Sequence, residues 1–151
     1  MFNNSAKKTF TLLCTLLLAL VFIGTSCKKD DEKTSKDYLT AHDWKLTSVK
    51  IGGIASTLDD CDKDDSVTFH DDGEYHSDEG ATKCEPTDPQ ETTGTWSISS
   101  STTPETLTIK YDDGGTQVTE EYDITELTDS RMVLSIEVPL FGTIVNTFEK
   151  K

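Results

Sequence analysis

A chain of 151 residues has room for one domain, at roughly 100 to 200 residues per domain. It carries 28 acidic residues against 14 basic ones, and Lys7 and Lys8 are the only charges in the first 26 positions, so 12 of the basic and all of the acidic side chains lie beyond them. Phosphate binding runs on Lys and Arg displacing counterions, so this balance excludes nucleic acid as a partner and suits a solvated surface, cations or basic partners.

Behind Lys7 and Lys8, residues 10–24 form one apolar run. Its length fits the core of a secretory signal and falls short of the ~20 residues a helix needs to span a bilayer. The next residues, Gly24-Thr25-Ser26-Cys27, resemble a lipobox, although Gly24 stands where that motif usually has a branched apolar side chain. The resemblance implies a signal peptide over 1–26, cleavage before Cys27 and lipid on its thiol; the alternative is an ordinary secretory signal with an unrelated cysteine. Lys28-Lys29-Asp30-Asp31-Glu32 is similar to the charged tether of Bacteroidota-type lipoproteins, which implies an outer-membrane anchor with the domain facing the cell exterior. Each buried methylene contributes ~0.8 kcal/mol, so an N-terminus with two or three acyl chains holds almost permanently. Residues 27–36 then read as lipidated cysteine and hydrated linker, and 37–151 as the folded domain.

Within that domain, residues 38–42 suit one helical turn. From Trp44 onward apolar residues recur at every second position and Gly, Asp and Pro punctuate them, the pattern of half-buried strands. The expected strands are 44–51, 66–70, 74–78, 92–99, 106–111, 117–127, 132–138 and 143–148. In His70-Asp71-Asp72-Gly73-Glu74 the glycine suits the left-handed position of a three-residue loop, which pairs Phe69 with Tyr75. Asp112-Asp113-Gly114-Gly115 and Thr128-Asp129-Ser130 mark two further turns. Short links in series imply antiparallel neighbours. The expected fold is therefore all-β, an antiparallel up-and-down barrel of about eight strands closed on itself, with a two-sheet sandwich as the alternative. An immunoglobulin-type sandwich does not fit, because Cys61 and Cys84 are too close and enclose no Trp.

Cys14 falls in the signal and Cys27 is consumed by lipid, which leaves Cys61 and Cys84 to pair. Such a bridge contributes about 3 kcal/mol in the chain-entropy model. Zinc is the rival reading, but no Cys-x-x-Cys or His spacing completes four ligands.

Leu39-Thr40-Ala41-His42-Asp43-Trp44-Lys45-Leu46, then Cys61 with Asp64-Asp65, Val67-Thr68-Phe69, Asp72-Gly73, Cys84, Gly94-Thr95-Trp96 and Leu107-Thr108-Ile109 together resemble the lipocalin-like lipoprotein domains of Bacteroidota. The resemblance covers residues 38–150 and implies a barrel with an apolar pocket, one end plugged by Trp44. His42 departs from the usual Gly-x-Trp. The resemblance does not imply a known ligand.

No nucleophile elbow, zinc-protease helix, dinucleotide fingerprint or phosphate loop is present, so we expect no enzyme and no cofactor. His70 and His76 fall on diagonal outward positions of one hairpin, about 7 to 8 Å apart at Cβ; two solvated histidines are the plain reading and a surface metal site the sharper one. Asp60, Asp62 and Asp64 occupy the first, third and fifth positions of a calcium-loop pattern, but Asp65 replaces its turn glycine and Asp71 its final Glu, so a hydrated loop is the plain reading there. The candidate ligand pocket comprises Trp44, Phe69, Tyr75 and Trp96. Tyr111, Tyr122 and Leu134 complete it. Barrels of about eight strands either fill with side chains or hold one small ligand. Two functions follow: a tethered monomeric carrier of a small apolar molecule, or a filled barrel whose acidic loops engage a protein or glycan-handling partner.

Overall fold

The computed structural model describes residues 32–151. In chain order these form α1 (Ser35–Leu39), β1 (Trp44–Ile51), β2 (Ile54–Ser56), β3 (Ser66–Phe69), β4 (Glu74–Asp78), β5 (Glu91–Ser99), β6 (Thr106–Asp113), β7 (Thr116–Leu127), β8 (Arg131–Val138) and β9 (Gly142–Lys150). Neighbours from β3 to β9 pair in sequence, and β1 closes the circle by pairing with β3 on one side and β9 on the other. All these pairings are antiparallel. The wall is thus a closed eight-stranded up-and-down barrel, and closure removes the free edges an open sheet would carry.

The alternation in the sequence is what allows this. Directly opposed residues share a face, and the register stacks Gly94 and Tyr111, Trp96 and Ile109, and Ile98 and Leu107 across β5 and β6. Leu107 then faces Tyr122, and Ile109 faces Glu120, across β6 and β7. Phe69 pairs with Tyr75, as the turn geometry of His70 to Glu74 requires; Gly73 sits at φ 92°. β1 carries a bulge between Leu46 and Ser48, and β7 one between Ile124 and Glu126. Bulges of this kind bend a strand, which closing a small barrel demands.

Two elements differ from the sequence expectation. The helix occupies Ser35–Leu39, earlier than the turn placed at 38–42, because Thr34 and Asp37 form a reciprocal capping box that sets its start. β2 is a three-residue strand returning along the upper half of β1 through Gly52 and Gly53, at φ 58° and 83°. All three of its residues are exposed, so it carries no alternating signature.

Helix α1 closes one end. Leu39 is wholly buried, and its carbonyl accepts the indole N–H of wholly buried Trp44 at 2.9 Å. The 70–73 turn, the 100–105 loop and the C-terminal residues gather at that end, where Lys151 N–H donates to Asp43 carbonyl at 2.9 Å. The opposite, open end carries the β1–β2 turn, the loops 57–65 and 79–90, and the β6–β7 and β8–β9 turns.

Candidate functional site

The barrel interior changes character along its axis. Toward the closed end it is solid: Leu39, Trp44, Leu107 and Met132 are wholly buried, and Phe69 and Leu134 nearly so. Phe69 packs edge-on against Trp96, ring centroids 5.7 Å apart, and against Tyr75 at 5.5 Å. Trp96 donates its indole N–H to the His70 carbonyl at 3.0 Å, tying the core to the β3–β4 turn. Of the seven pocket candidates, Trp44, Phe69, Trp96 and Leu134 therefore belong to this packed half.

Tyr75, Tyr111 and Tyr122 belong to the other half. They are only partly buried and pack against the core cluster. Between them stands a residue the apolar pattern passes over: Glu120 lies opposite buried Ile109 and so faces inward. Its carboxylate accepts the Tyr122 hydroxyl at 2.9 Å and the Tyr111 hydroxyl at 3.2 Å. Burial, with the Glu120 charge behind it, pushes the Tyr111 phenol up to about 12 and raises that of Tyr122 as well. Tyr75 is raised by burial in the same way. Tyr111 and Tyr122 are therefore donors around one acceptor, Glu120, whose charge also reaches the Tyr75 phenol. The signal in the sequence was the strict two-residue spacing Val118, Glu120, Tyr122, Ile124, in which a charged residue holds an inward position.

Gly94 makes room for this arrangement. It sits inward between Tyr75 and Tyr111, and a Cβ there would lie 2.2 Å from the Lys110 carbonyl oxygen. No side chain fits without moving a strand.

The open end carries the acidic loops. Cys61 and Cys84 are bonded, with Cα atoms 5.1 Å apart, which joins the 57–65 and 79–90 loops as expected. The calcium-pattern aspartates do not converge. Asp60 pairs with Lys63 at 2.6 Å, Asp62 accepts the Asp59 N–H at 3.1 Å, and Asp64 accepts the N–H groups of Ala81 and Thr82 at 2.7 and 3.1 Å. Among the described residues, the metal-ligand types that do share one point are Cys61, Asp62 and Cys84, whose sulfurs are already spent on each other. Beside them Asp65 is crowded: burial first, then the charges of Glu79, Asp62, Asp64 and Asp78, push its carboxyl up to about 6.

A cleft of about 670 Å3 opens at the closed end, between α1, the 71–73 turn and the outer end of β5. Lys36, Asp72, Ser97 and Glu105 border it, and of the pocket candidates only Trp96 does. Cys27 lies outside the described residues, and so do residues 1–26, over which a signal peptide is expected.

A closed antiparallel barrel of eight strands, plugged at one end by a short N-terminal helix and an N-terminal Trp, defines a lipocalin-like architecture. The family model for the lipocalin-like domain matches residues 40–134, and the chain belongs to that family. Among solved structures it is similar to a lipocalin-like protein from Bacteroides uniformis, at 15% identity and a TM-score of 0.52, covering 74% of this chain and 98% of that one. No curated protein matches it.

Proposed function

We propose that the protein is a non-enzymatic lipoprotein, anchored through lipid on Cys27 to the outer membrane and facing the cell exterior, whose barrel takes up one small and largely apolar ligand through its open end. The observation that carries this reading is the split interior. A barrel serving only as a scaffold gains most by filling both halves with aliphatic side chains. Here the open half instead presents Tyr75, Tyr111 and Tyr122 around the inward carboxylate of Glu120. Such a cluster offers apolar ring faces with a few converging polar atoms, the usual make-up of a small-molecule site. Glu120 selects a ligand that ends in a hydrogen-bond donor or a cationic group.

The test uses residues 28–151 with the disulfide intact, titrated with an environment-sensitive fluorescent alkylamine and then competed with unlabelled apolar compounds. Saturable one-to-one binding, weakened about tenfold or more by Glu120→Gln, supports the carrier; a charge-assisted hydrogen bond is worth ~1.5–3 kcal/mol. No saturable binding by a folded protein refutes it.

The second reading, an interaction module, is favoured by one feature. Ile54, Leu140 and Phe141 are largely exposed at the open end, on hairpin tips free of acidic residues. Under that reading Glu120→Gln changes nothing, and substituting Leu140 and Phe141 abolishes partner capture.

A further inference from the structure

The outer face of β3, β4 and β5 carries a group of side chains with no part in the barrel interior. Glu74 and His76 alternate outward along β4, His70 follows the end of β3, and Glu91 opens β5. The rings of His70 and His76 stand 4.9 Å apart, edge to face. His76 Nδ1 lies 2.6 Å from Glu91 Oε1, and because a carboxylate accepts, the ring donates Nδ1–H to it. In the neutral ring that bond fixes the tautomer and leaves Nε2 as the lone-pair nitrogen. Nε2 in turn lies 3.7 Å from Glu74 Oε2.

We propose that His70, Glu74 and His76 form a surface site for a divalent transition-metal ion of the zinc or copper type, with Glu91 as its orienting carboxylate. Metal–nitrogen bonds of about 2.0–2.1 Å and metal–oxygen bonds of about 2.0–2.2 Å in a tetrahedron place ligand atoms ~3.4 Å apart. The 3.7 Å between His76 Nε2 and Glu74 Oε2 needs only a few tenths of an ångström of adjustment. His70 supplies the third ligand. The three donor atoms do not yet share one point, so the exposed His70 ring must turn out of its edge-to-face contact with His76 to bring a nitrogen to the other two. Its backbone, by contrast, is held: His70 N–H donates to Glu74 carbonyl at 2.9 Å, and its own carbonyl accepts Gly73 N–H at 3.0 Å and the Trp96 indole at 3.0 Å.

The ligand set chooses the metal. Two imidazoles and one carboxylate suit zinc, copper or nickel, whereas calcium and magnesium prefer oxygen ligands alone. The contact from Glu91 to His76 repeats the carboxylate–histidine–metal arrangement by which outer carboxylates align ligating rings. Asp71, Asp72 and Asp78 lie on the same hairpin and add negative potential that favours a cation. Water fills the remaining coordination positions, since the face is open to solvent.

The full chain in detergent, with Cys14→Ser and Cys27→Ser removing the thiols outside the disulfide, is titrated with Zn2+ against a chromogenic chelator and with Cu2+ by electron paramagnetic resonance. The expected result is one ion per chain at micromolar affinity, with hyperfine coupling from two imidazole nitrogens. His70→Gln and His76→Gln should each weaken binding at least tenfold. Glu91→Gln should weaken it about tenfold without removing the two-nitrogen signature, and His42→Gln should leave it unchanged. Affinity undiminished in the double variant His70→Gln, His76→Gln, or a bound Cu2+ showing fewer than two nitrogen ligands, overturns the assignment. Both histidines are on the surface and outside the core, so the variants fold and either outcome is readable.

Discussion

Replacing Asp65 by Asn should stabilise the protein at neutral pH, although it removes a charge from a surface loop. Asp65 Oδ1 is buried and has no hydrogen-bond partner among the described residues, and four other carboxylates press on it. Its carboxyl titrates near 6 in place of the ordinary 3.8. The folded state therefore binds a proton that the unfolded chain has released between those values, and stability falls as pH rises through that window. Below about 3.8 both states are protonated and the penalty is absent; above about 6 it is complete. For a fully shielded group such a shift corresponds to about 3 kcal/mol. Asp65 is only intermediate in burial, so solvent screening reduces this to ~1–2 kcal/mol. Urea denaturation of the parent and Asp65→Asn proteins at half-unit steps from pH 4 to 7.5 checks it. The variant should gain ~1–2 kcal/mol at pH 7.5, and the gain should shrink toward zero near pH 4. A variant less stable at pH 7.5, or a gain that does not vary with pH, would show that burial and the neighbouring carboxylates do not raise this carboxyl.

Three further substitutions test the scaffold. Changing Cys61 and Cys84 together to Ala should cost about 3 kcal/mol, seen as a lower denaturant midpoint that reducing agent no longer shifts. Gly94→Ala drives a methyl to 2.2 Å from the Lys110 carbonyl and should cost ~1–3 kcal/mol by thermal unfolding; an unchanged midpoint would mean that β5 and β6 are not paired in this register. Trp44→Phe leaves the buried Leu39 carbonyl without its donor at 2.9 Å and should cost ~1–3 kcal/mol from that loss alone. Near-parent stability would show that α1 does not close the barrel.

These tests bear on function because the two halves of the interior do different work. The closed half is fixed by burial: Trp44, Leu107 and Met132 have no exposed surface, and a ligand there would have to displace core. The open half is polar enough to carry a charge and its donors, and its tyrosines retain exposure. The acidic loops above it are held by one disulfide and by Asp64 reaching across to Ala81 and Thr82. Gly80 permits that approach, since a Cβ there would lie 2.7 Å from the Asp64 side chain and its φ is 68°.

Strand alternation, turn glycines and the Cys61 and Cys84 pair are local properties, and local sequence was enough to read the eight wall strands, the Phe69 to Tyr75 register and the disulfide. A period of two assigns each side chain to a face before any partner strand is known. The helix start depended on Thr34 and Asp37 bonding each other, and β2 on two glycines turning the chain back; neither leaves an apolar pattern to follow. Glu120 was passed over for a related reason, since inwardness had been inferred from apolar character and a carboxylate carries none. What only the tertiary structure decided is which inward residues meet as a packed core and which gather around Glu120, because that depends on the axial level at which β4, β6 and β7 align. The same holds for Glu91. Its place beside His76 comes from the pairing of β4 with β5, across a loop whose length the sequence states but whose path only closure of the barrel determines.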